Sequence, residues 1–580
     1  MDASQDPTES GAAGGKGRTR ASRQPAHDHP VEHDPAEHDP AEPGPGPAPE
    51  PASLELDVSA FGPTADDEPR LREAVLAHHD IRSRLADCDH RLLTFRLADP
   101  DSKTAEPCPP SRFTATVFDY TNGRMLLAQG ELGALDPDAP GSLEVDDVAA
   151  DPLPSAAEFA AAVDVLRHDR PMRARLEAGS VEVYEPMPPV IETELPDGRR
   201  DRTVAVGLRE NDRESSTHQI VGVNLFSRRV IDLVDRYDFP SLKPCEPPPG
   251  AGSCAPSGTT GQVTVTVSQA GQQLWRFVAV RPAASSGTNG SGIELRYVDY
   301  RGKRVLYRAH LPILNIEYLS GAPGGCGPTY RDWQNGETCF QANGVDVIPG
   351  FRVCPSPATT ILDSGSDAGN FKGVAIYVQG HEVVLVSELS AGWYRYISEW
   401  RLRSDGTIRP IFGFSAIDNP CTCSEHIHHA YWRFDFDIRT AWNNMVEEYN
   451  DPPLVGSSNW HTKSYETRRP RDPSRKRRWK VSNAATGEGY VLVPGAGDGT
   501  ADPYGVGDMW ALRYRGSEID DGQGFTTNPA LSQAHLDAFR SPAEPIAGTD
   551  VVLWYTGHFR HDQAHAAGHR VGPELRPTNW

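Results

Sequence analysis

The most informative segment of this chain is Cys421-Thr-Cys-Ser-Glu-His426-Ile-His428-His429-Ala-Tyr-Trp-Arg-Phe-Asp435-Phe436-Asp437. Its alternating, aromatic tail predicts one long strand. On a strand, residues two apart share a face, so His426 and His428 point the same way, about 7 Å apart along the chain. That arrangement suits two imidazoles converging on one metal ion. His429 points to the other side. Asp435 and Asp437 also share a face, opposite by parity to that of the two histidines, and their oxygens suit a hard ion such as Ca²⁺. A His-x-His pair needs a third donor. The C-terminal segment Asp550-Val551-Val-Leu-Trp554-Tyr-Thr-Gly-His558-Phe-Arg-His561 offers two. Three imidazoles suit copper or zinc and leave coordination positions open for water or oxygen.

These residues resemble those of the topaquinone-dependent copper amine oxidases. In that family a His-x-His on a long strand and a third His near the C-terminus hold copper, and the second His is followed seven positions on by Asp-hydrophobic-Asp. Here His428 is followed at that interval by Asp435-Phe436-Asp437. The family's third His lies seven residues after the Trp of an Asp-x-x-x-Trp segment, which favours His561, seven after Trp554. The resemblance implies a peripheral Ca²⁺-type site from Asp435, Asp437, Asp550 and the carbonyls of Phe436 and Val551. The close, Val571-Gly-Pro-Glu-Leu-Arg-Pro-Thr-Asn-Trp580, is similar to the family's ending.

The family's organic cofactor is a tyrosine of the chain, oxidised to topaquinone by bound copper and O₂. Its motif, Thr-x-x-Asn-Tyr-acid with Trp six residues after the Tyr, resembles Ser390-Ala-Gly-Trp393-Tyr394-Arg395 followed by Trp400. Tyr394 is therefore the implied precursor. Trp393 replaces the Asn and Arg395 the acid, two departures expected to reshape the pocket. The family's base is an Asp about fourteen residues after a Tyr that hydrogen-bonds the quinone. Tyr318 and Asp332 hold that spacing; a shifted alignment puts Gln334 or Asn335 at the base position. The implied reaction is oxidative deamination of a primary amine with O₂, giving aldehyde, ammonia and hydrogen peroxide. Such a base must sit in an apolar pocket that raises its pKa, to which Trp333 and Trp393 are expected to contribute. The resemblance also implies a homodimer. The alternative is a copper protein on the same scaffold without topaquinone, catalysing a different oxidation or none.

The elements that must position these residues are legible in outline. The fold class expected is two small α+β domains followed by a large antiparallel β-sandwich that carries the catalytic site. Residues 1–52 hold ten acids and four bases, few large apolar residues, and His27, His29, His33 and His38; this predicts a disordered tail able to bind divalent metal loosely. Residues 53–153 read as the first α+β domain, with a helix over Arg70–Ala86, a strand from Phe113 and a turn at Thr121–Arg124. Residues 154–240 read as the second, opened by a helix that Ser155 and Glu158 cap reciprocally. Its segment from Phe159 to Arg167 is similar to one in the family. A Pro- and Gly-rich linker, 241–260, precedes the sandwich at 261–580, where short alternating runs recur between turns. The basic run Arg468–Lys480 reads as a solvated loop or arm.

The 580 residues are 38% hydrophobic and 24% charged, as in an ordinary globular protein, with a net charge of −23. That charge excludes a nucleic-acid binder, which carries a basic footprint. It agrees weakly with a cationic amine as the small-molecule substrate. No apolar run approaches the length of a membrane span. Arg18, Arg20 and Arg23 precede no apolar stretch, so a cytoplasmic location is expected. Only 8 of 57 basic residues are Lys, and Ala, Pro and Gly are frequent, a bias associated with bacterial high-GC genomes. Nine cysteines cannot all pair; no disulfide framework is expected beyond one local bridge, with Cys421 and Cys423 bridged to each other or buried as thiols.

Overall fold

The computed structural model describes residues 53–580 apart from internal stretches, the longest being 192–201, 211–217, 233–249, 320–327 and 563–568. The acidic tail, most of the Pro/Gly linker, and Cys245, Cys326, Cys421 and Cys423 lie outside the described residues.

A four-stranded antiparallel meander forms first: His90–Ala98, Arg112–Asp119, Arg124–Glu131 and Glu144–Val148. Leu71, Val75 and Ile81 from the preceding helical segment pack on its Phe95, Phe113 and Leu126. The single helix expected there is two, Glu68–Ala77 and His79–Arg82. The break falls at His78, which is extended and fully buried, with Nδ1 accepting from the Asp80 N–H and Nε2 2.8 Å from the Ser142 hydroxyl. The second small sheet, Val181–Tyr184, Thr203–Glu210, His218–Asn224 and Arg229–Asp232, is covered by the helix Ala156–His168. Ser155 and Glu158 form the reciprocal cap at its start. Glu158 also pairs with buried Arg202 at 2.9 Å and accepts from the Tyr120 hydroxyl at 2.7 Å, which ties the two small sheets together.

Two large sheets follow and share one hydrophobic core. In the first, the strands Lys303–Tyr318, His426–Phe436 and Val551–His561 lie side by side, all antiparallel. In the second, Glu382–Ala391, Tyr394–Arg403 and Ile408–Ala416 form the central hairpins. The chain is antiparallel throughout these sheets except where Phe351–Val353 meets Val374–Gln379 in parallel. Buried Trp275, Trp400, Trp432 and Trp479 fill the space between the layers, as expected when two sheets pack face to face.

Three features depart from the sequence reading. The first strand, Leu54–Ala60, leaves the small domain and pairs with Gln262–Gln269 at the edge of the large sheet, because Leu54, Leu56 and Val58 turn one apolar face to that core. The run Arg468–Lys480 is no solvated arm. Arg469 and Arg477 pair with buried Glu448, and Arg471, itself buried, pairs with Asp498 and Asp508. Third, among the described residues a disulfide joins Cys254 to Cys339 across 85 residues, a long-range pairing the sequence reading did not include, while the local bridge considered at Cys421 and Cys423 lies outside the described residues. Closing a loop of that length stabilises the fold by about 4–5 kcal/mol in the chain-entropy account. Such bonds persist in oxidising compartments, which weighs against the cytoplasmic expectation. No described helix is long and apolar enough to cross a membrane.

Candidate active site and metal centre

Strand register assembles the histidines. Tyr318 lies opposite His426, which lies opposite His561; Ile316 lies opposite His428, which lies opposite Phe559. One nitrogen from each of His426, His428 and His561 falls within 4.8 Å of the others, and all three residues are buried. His426 Nδ1 lies 2.6 Å from the Ser424 carbonyl, so it carries the proton and leaves Nε2 as a lone pair. That Nε2 faces His561 Nδ1 at 3.0 Å. Neither ring nitrogen of His428 has a hydrogen-bond partner. Burial, then the neighbouring imidazoles, pushes His426 down to about 3 and His428 well below the usual value. The rings are thus neutral donors, the state metal ligation requires. An orphaned, buried imidazole among three converging ones fits Cu²⁺. His558, the other C-terminal candidate, faces away and meets His429 instead.

A tyrosine from the facing sheet lies against this cluster. The chain turns at Gly392, whose φ is +56° and where a Cβ would lie 2.3 Å from Met187 Cγ. Tyr394 then opens its strand with its ring centre 5.1 Å from that of His428 and 5.8 Å from that of His426. Its hydroxyl is in hydrogen-bond contact with that of Tyr318, whose ring packs 5.0 Å from His426. Both phenols are fully enclosed, and burial raises both pKa values.

Asp332 follows the short strand Thr329–Arg331, which pairs with the end of Lys303–Tyr318. Its backbone N–H donates to the Leu314 carbonyl at 2.9 Å, fixing it beside the tyrosines. Its carboxyl is 1% exposed, and burial raises its pKa to about 7 against hydrogen bonds from the Tyr396 hydroxyl and the Trp333 N–H. The Tyr396 bond is 2.6 Å long, and the Tyr396 ring stacks on that of Tyr394 at 5.5 Å. Sequence reasoning missed Tyr396, although its strand parity with Tyr394 was there to be used. Gln334, the alternative base, donates to the Leu311 carbonyl and is tied up there.

The two motif departures have different fates. Trp393 is buried, with its ring centre 6.2 Å from that of Tyr394. Arg395, by strand alternation, leaves the pocket and pairs with Asp367 at 2.7 Å on the other face.

The peripheral carboxylates also converge, but not as expected. Lys103 Nζ sits among them, 2.6 Å from Asp435, 2.7 Å from Asp437 and 2.8 Å from Asp550, and 4.0 Å from the Tyr514 ring centre. Burial lowers the lysine pKa, but the three carboxylate charges outweigh it and hold it above the usual value. Phe436 and Val551 pair across the adjoining ladder. Ca²⁺ would need these oxygens at 2.3–2.6 Å, and the ammonium already takes the centre. The set therefore does not fit Ca²⁺, because Lys103 supplies the cation from within the chain.

Two small α+β sheets leading into a large antiparallel sandwich, with these strands crossing at its middle, make up the fold of the copper-containing amine oxidases. A copper-containing benzylamine oxidase from Hansenula polymorpha superposes with a TM-score of 0.54 at 15% identity over 92% of this chain and 94% of that one. An Aspergillus nidulans amine oxidase gives 0.54 at 13% identity, covering 92% and 89%. A Pichia pastoris lysyl oxidase gives 0.53 at 11%, covering 92% and 91%. At these identities the likeness establishes the fold alone. No protein-family model matches the sequence, and no curated protein does.

Proposed function

We propose that this protein is a copper-dependent oxidase acting on a small primary amine and O₂, releasing aldehyde, ammonia and hydrogen peroxide. The observation that carries the reading is the enclosure of Tyr394 between three converging histidines and a buried acid. His426, His428 and His561 would hold copper, and Tyr394 would be the precursor of topaquinone; together these groups would supply the oxidising chemistry that uses O₂.

The chain's own residues do the rest. Asp332 takes a proton from the carbon next to the substrate nitrogen. With a pKa of about 7 it is basic enough to do so and is still half-ionised near neutral pH. Tyr396 positions that carboxylate through its hydroxyl, and the Tyr318 hydroxyl orients the oxygen of residue 394. Trp333, whose indole N–H is anchored to the Ser390 carbonyl at 3.0 Å, excludes water from the acid. A homodimer accompanies this reading. Leu454 and Val455 stand exposed at the tip of the hairpin Asn444–Tyr449/Trp460–Lys463, where a second copy would cover them.

The test is mass spectrometry of the peptide containing Tyr394 after loading with copper in air. A gain of two oxygens and a loss of two hydrogens supports the proposal. Unmodified tyrosine in copper-replete protein overturns it and leaves the second reading, a copper protein without the quinone. The stacking of Tyr394 on Tyr396 favours that second reading, since it restrains the ring.

A further inference from the structure

The face of the strand His426–Phe436 that turns away from the copper ligands carries a second set of donors. His429 is fully buried there, opposite His558 on one neighbouring strand and Asn315 on the other. Its Nδ1 lies 2.8 Å from His558 Nδ1. His558 Nε2 in turn lies 3.1 Å from the Gly507 carbonyl and 3.2 Å from Asp508 Oδ1. Both of those oxygens only accept, so Nε2 of His558 carries the proton, and in the neutral ring Nδ1 is the lone pair. His429 Nδ1 must then donate to it, which leaves His429 Nε2 without a proton.

That nitrogen has no hydrogen-bond partner. It looks toward Asp502 Oδ2 at 3.9 Å, and a Glu317 oxygen joins them, all within 4.8 Å of one another. The other Asp502 oxygen is committed, accepting the N–H groups of Tyr504 and Gly505. The loop is pressed against the ring: a Cβ on Gly505 would lie 2.0 Å from His429 Nδ1. Neither Glu317 nor Asp502 pairs with a Lys or Arg among the described residues. Three acceptors thus face one another with no donor between them, a repulsive arrangement that a bound cation relieves.

We propose that Glu317, His429 and Asp502 form a second metal site, for a divalent first-row transition ion. One imidazole with two carboxylates suits Zn²⁺, Mn²⁺ or Fe²⁺; the imidazole disfavours Ca²⁺ and the absence of thiolate disfavours Cu⁺. The chain from Asp508 through His558 to His429 is the outer-shell relay that fixes a ligating ring in its tautomer. Asp508 is itself ion-paired with Arg471 at 3.3 Å. The proposal is independent of the fate of Tyr394.

The test uses the full chain, first filled with one equivalent of Cu²⁺ and then equilibrated with Zn²⁺, with both metals counted per chain. Asp502→Asn keeps the carbonyl oxygen that holds the 502–505 turn, and Glu317→Gln changes a half-buried side chain, so both variants should fold. Each is expected to lose one zinc per chain relative to wild type while keeping its copper. The His-rich tail is common to all three proteins, so the difference isolates this site. Equal zinc counts in wild type and both variants, or loss of copper in place of zinc, would overturn the assignment.

Discussion

Two ligand clusters lie at the two ends of the same strand pair, His426–Phe436 and Val551–His561, and differ in what they lack. At one end of His426–Phe436, three imidazoles converge, and His428 has no partner on either nitrogen. At the other end, three carboxylates converge, and the Lys103 ammonium meets one oxygen of each. On the proposed reading, copper from outside the chain completes the first cluster. The second is completed by the chain itself. Convergence of ligating residues is therefore not enough to define a metal site; the decisive feature is whether a lone pair is left without a proton or a cation to meet it.

The largest effect should come from the unsatisfied end. His428→Ala removes the orphaned donor, and copper content measured after dialysis should fall from one per chain to none, with oxidase activity below detection. Retained copper would place the metal elsewhere.

Asp332→Asn comes next, since Asp332 is a buried acid with no cation to meet it. Loss of a general base typically costs about 10²–10⁴ in rate. In the wild type, kcat/KM should rise with pH up to about 7, and that limb should vanish in the variant. Stability carries the same signature with the opposite sense. The folded state holds this proton to about 7 and the unfolded chain only to 3.8, so between those values the native state binds more protons. The group's contribution is present at low pH and is lost as pH rises through that window. Asp332→Asn should therefore melt above the wild type at pH 8, with the gap closing near pH 4.

Lys103→Met tests the satisfied end directly. Removing one partner of a buried ion pair costs about 3–5 kcal/mol, to be read as a lowered denaturation midpoint. Added Ca²⁺ should restore the variant and leave the wild type unmoved. A wild type stabilised by Ca²⁺ would erase the contrast between the two clusters. The smallest effect belongs to Tyr396→Phe. Its hydroxyl lowers the Asp332 pKa, so the acidic limb of kcat/KM should move to higher pH, while a purely structural role would change the rate without moving the limb.

Much of this site could be read along the chain. Strand parity alone puts His426 and His428 on one face and His429 on the other, and the seven-residue offsets of the family that the chain resembles point to His561 and Asp435. The same parity, had it been carried one step further, would have given Tyr396 beside Tyr394. It would also have sent Arg395 out of the pocket. What parity cannot report is which distant side chain arrives. Lys103 reaches Asp435 across 332 positions, from a connecting segment of the first small sheet that has no local pattern to mark it. The basic run at 468–480 reads as solvated because its acidic partners, Glu448, Asp498 and Asp508, are neighbours only in space.

The sequence by itself determined the sandwich, the faces of its central strands and the pairing of His426 with His428, because backbone periodicity is local and fixes where each side chain points; the choice of His561 came from the family resemblance. The tertiary structure alone decided which charges are met. Whether a buried group finds its partner depends on contacts between elements far apart in the chain. Those contacts brought Lys103 into one acidic cluster and left His428, and across the strand His429 Nε2, without hydrogen-bond partners.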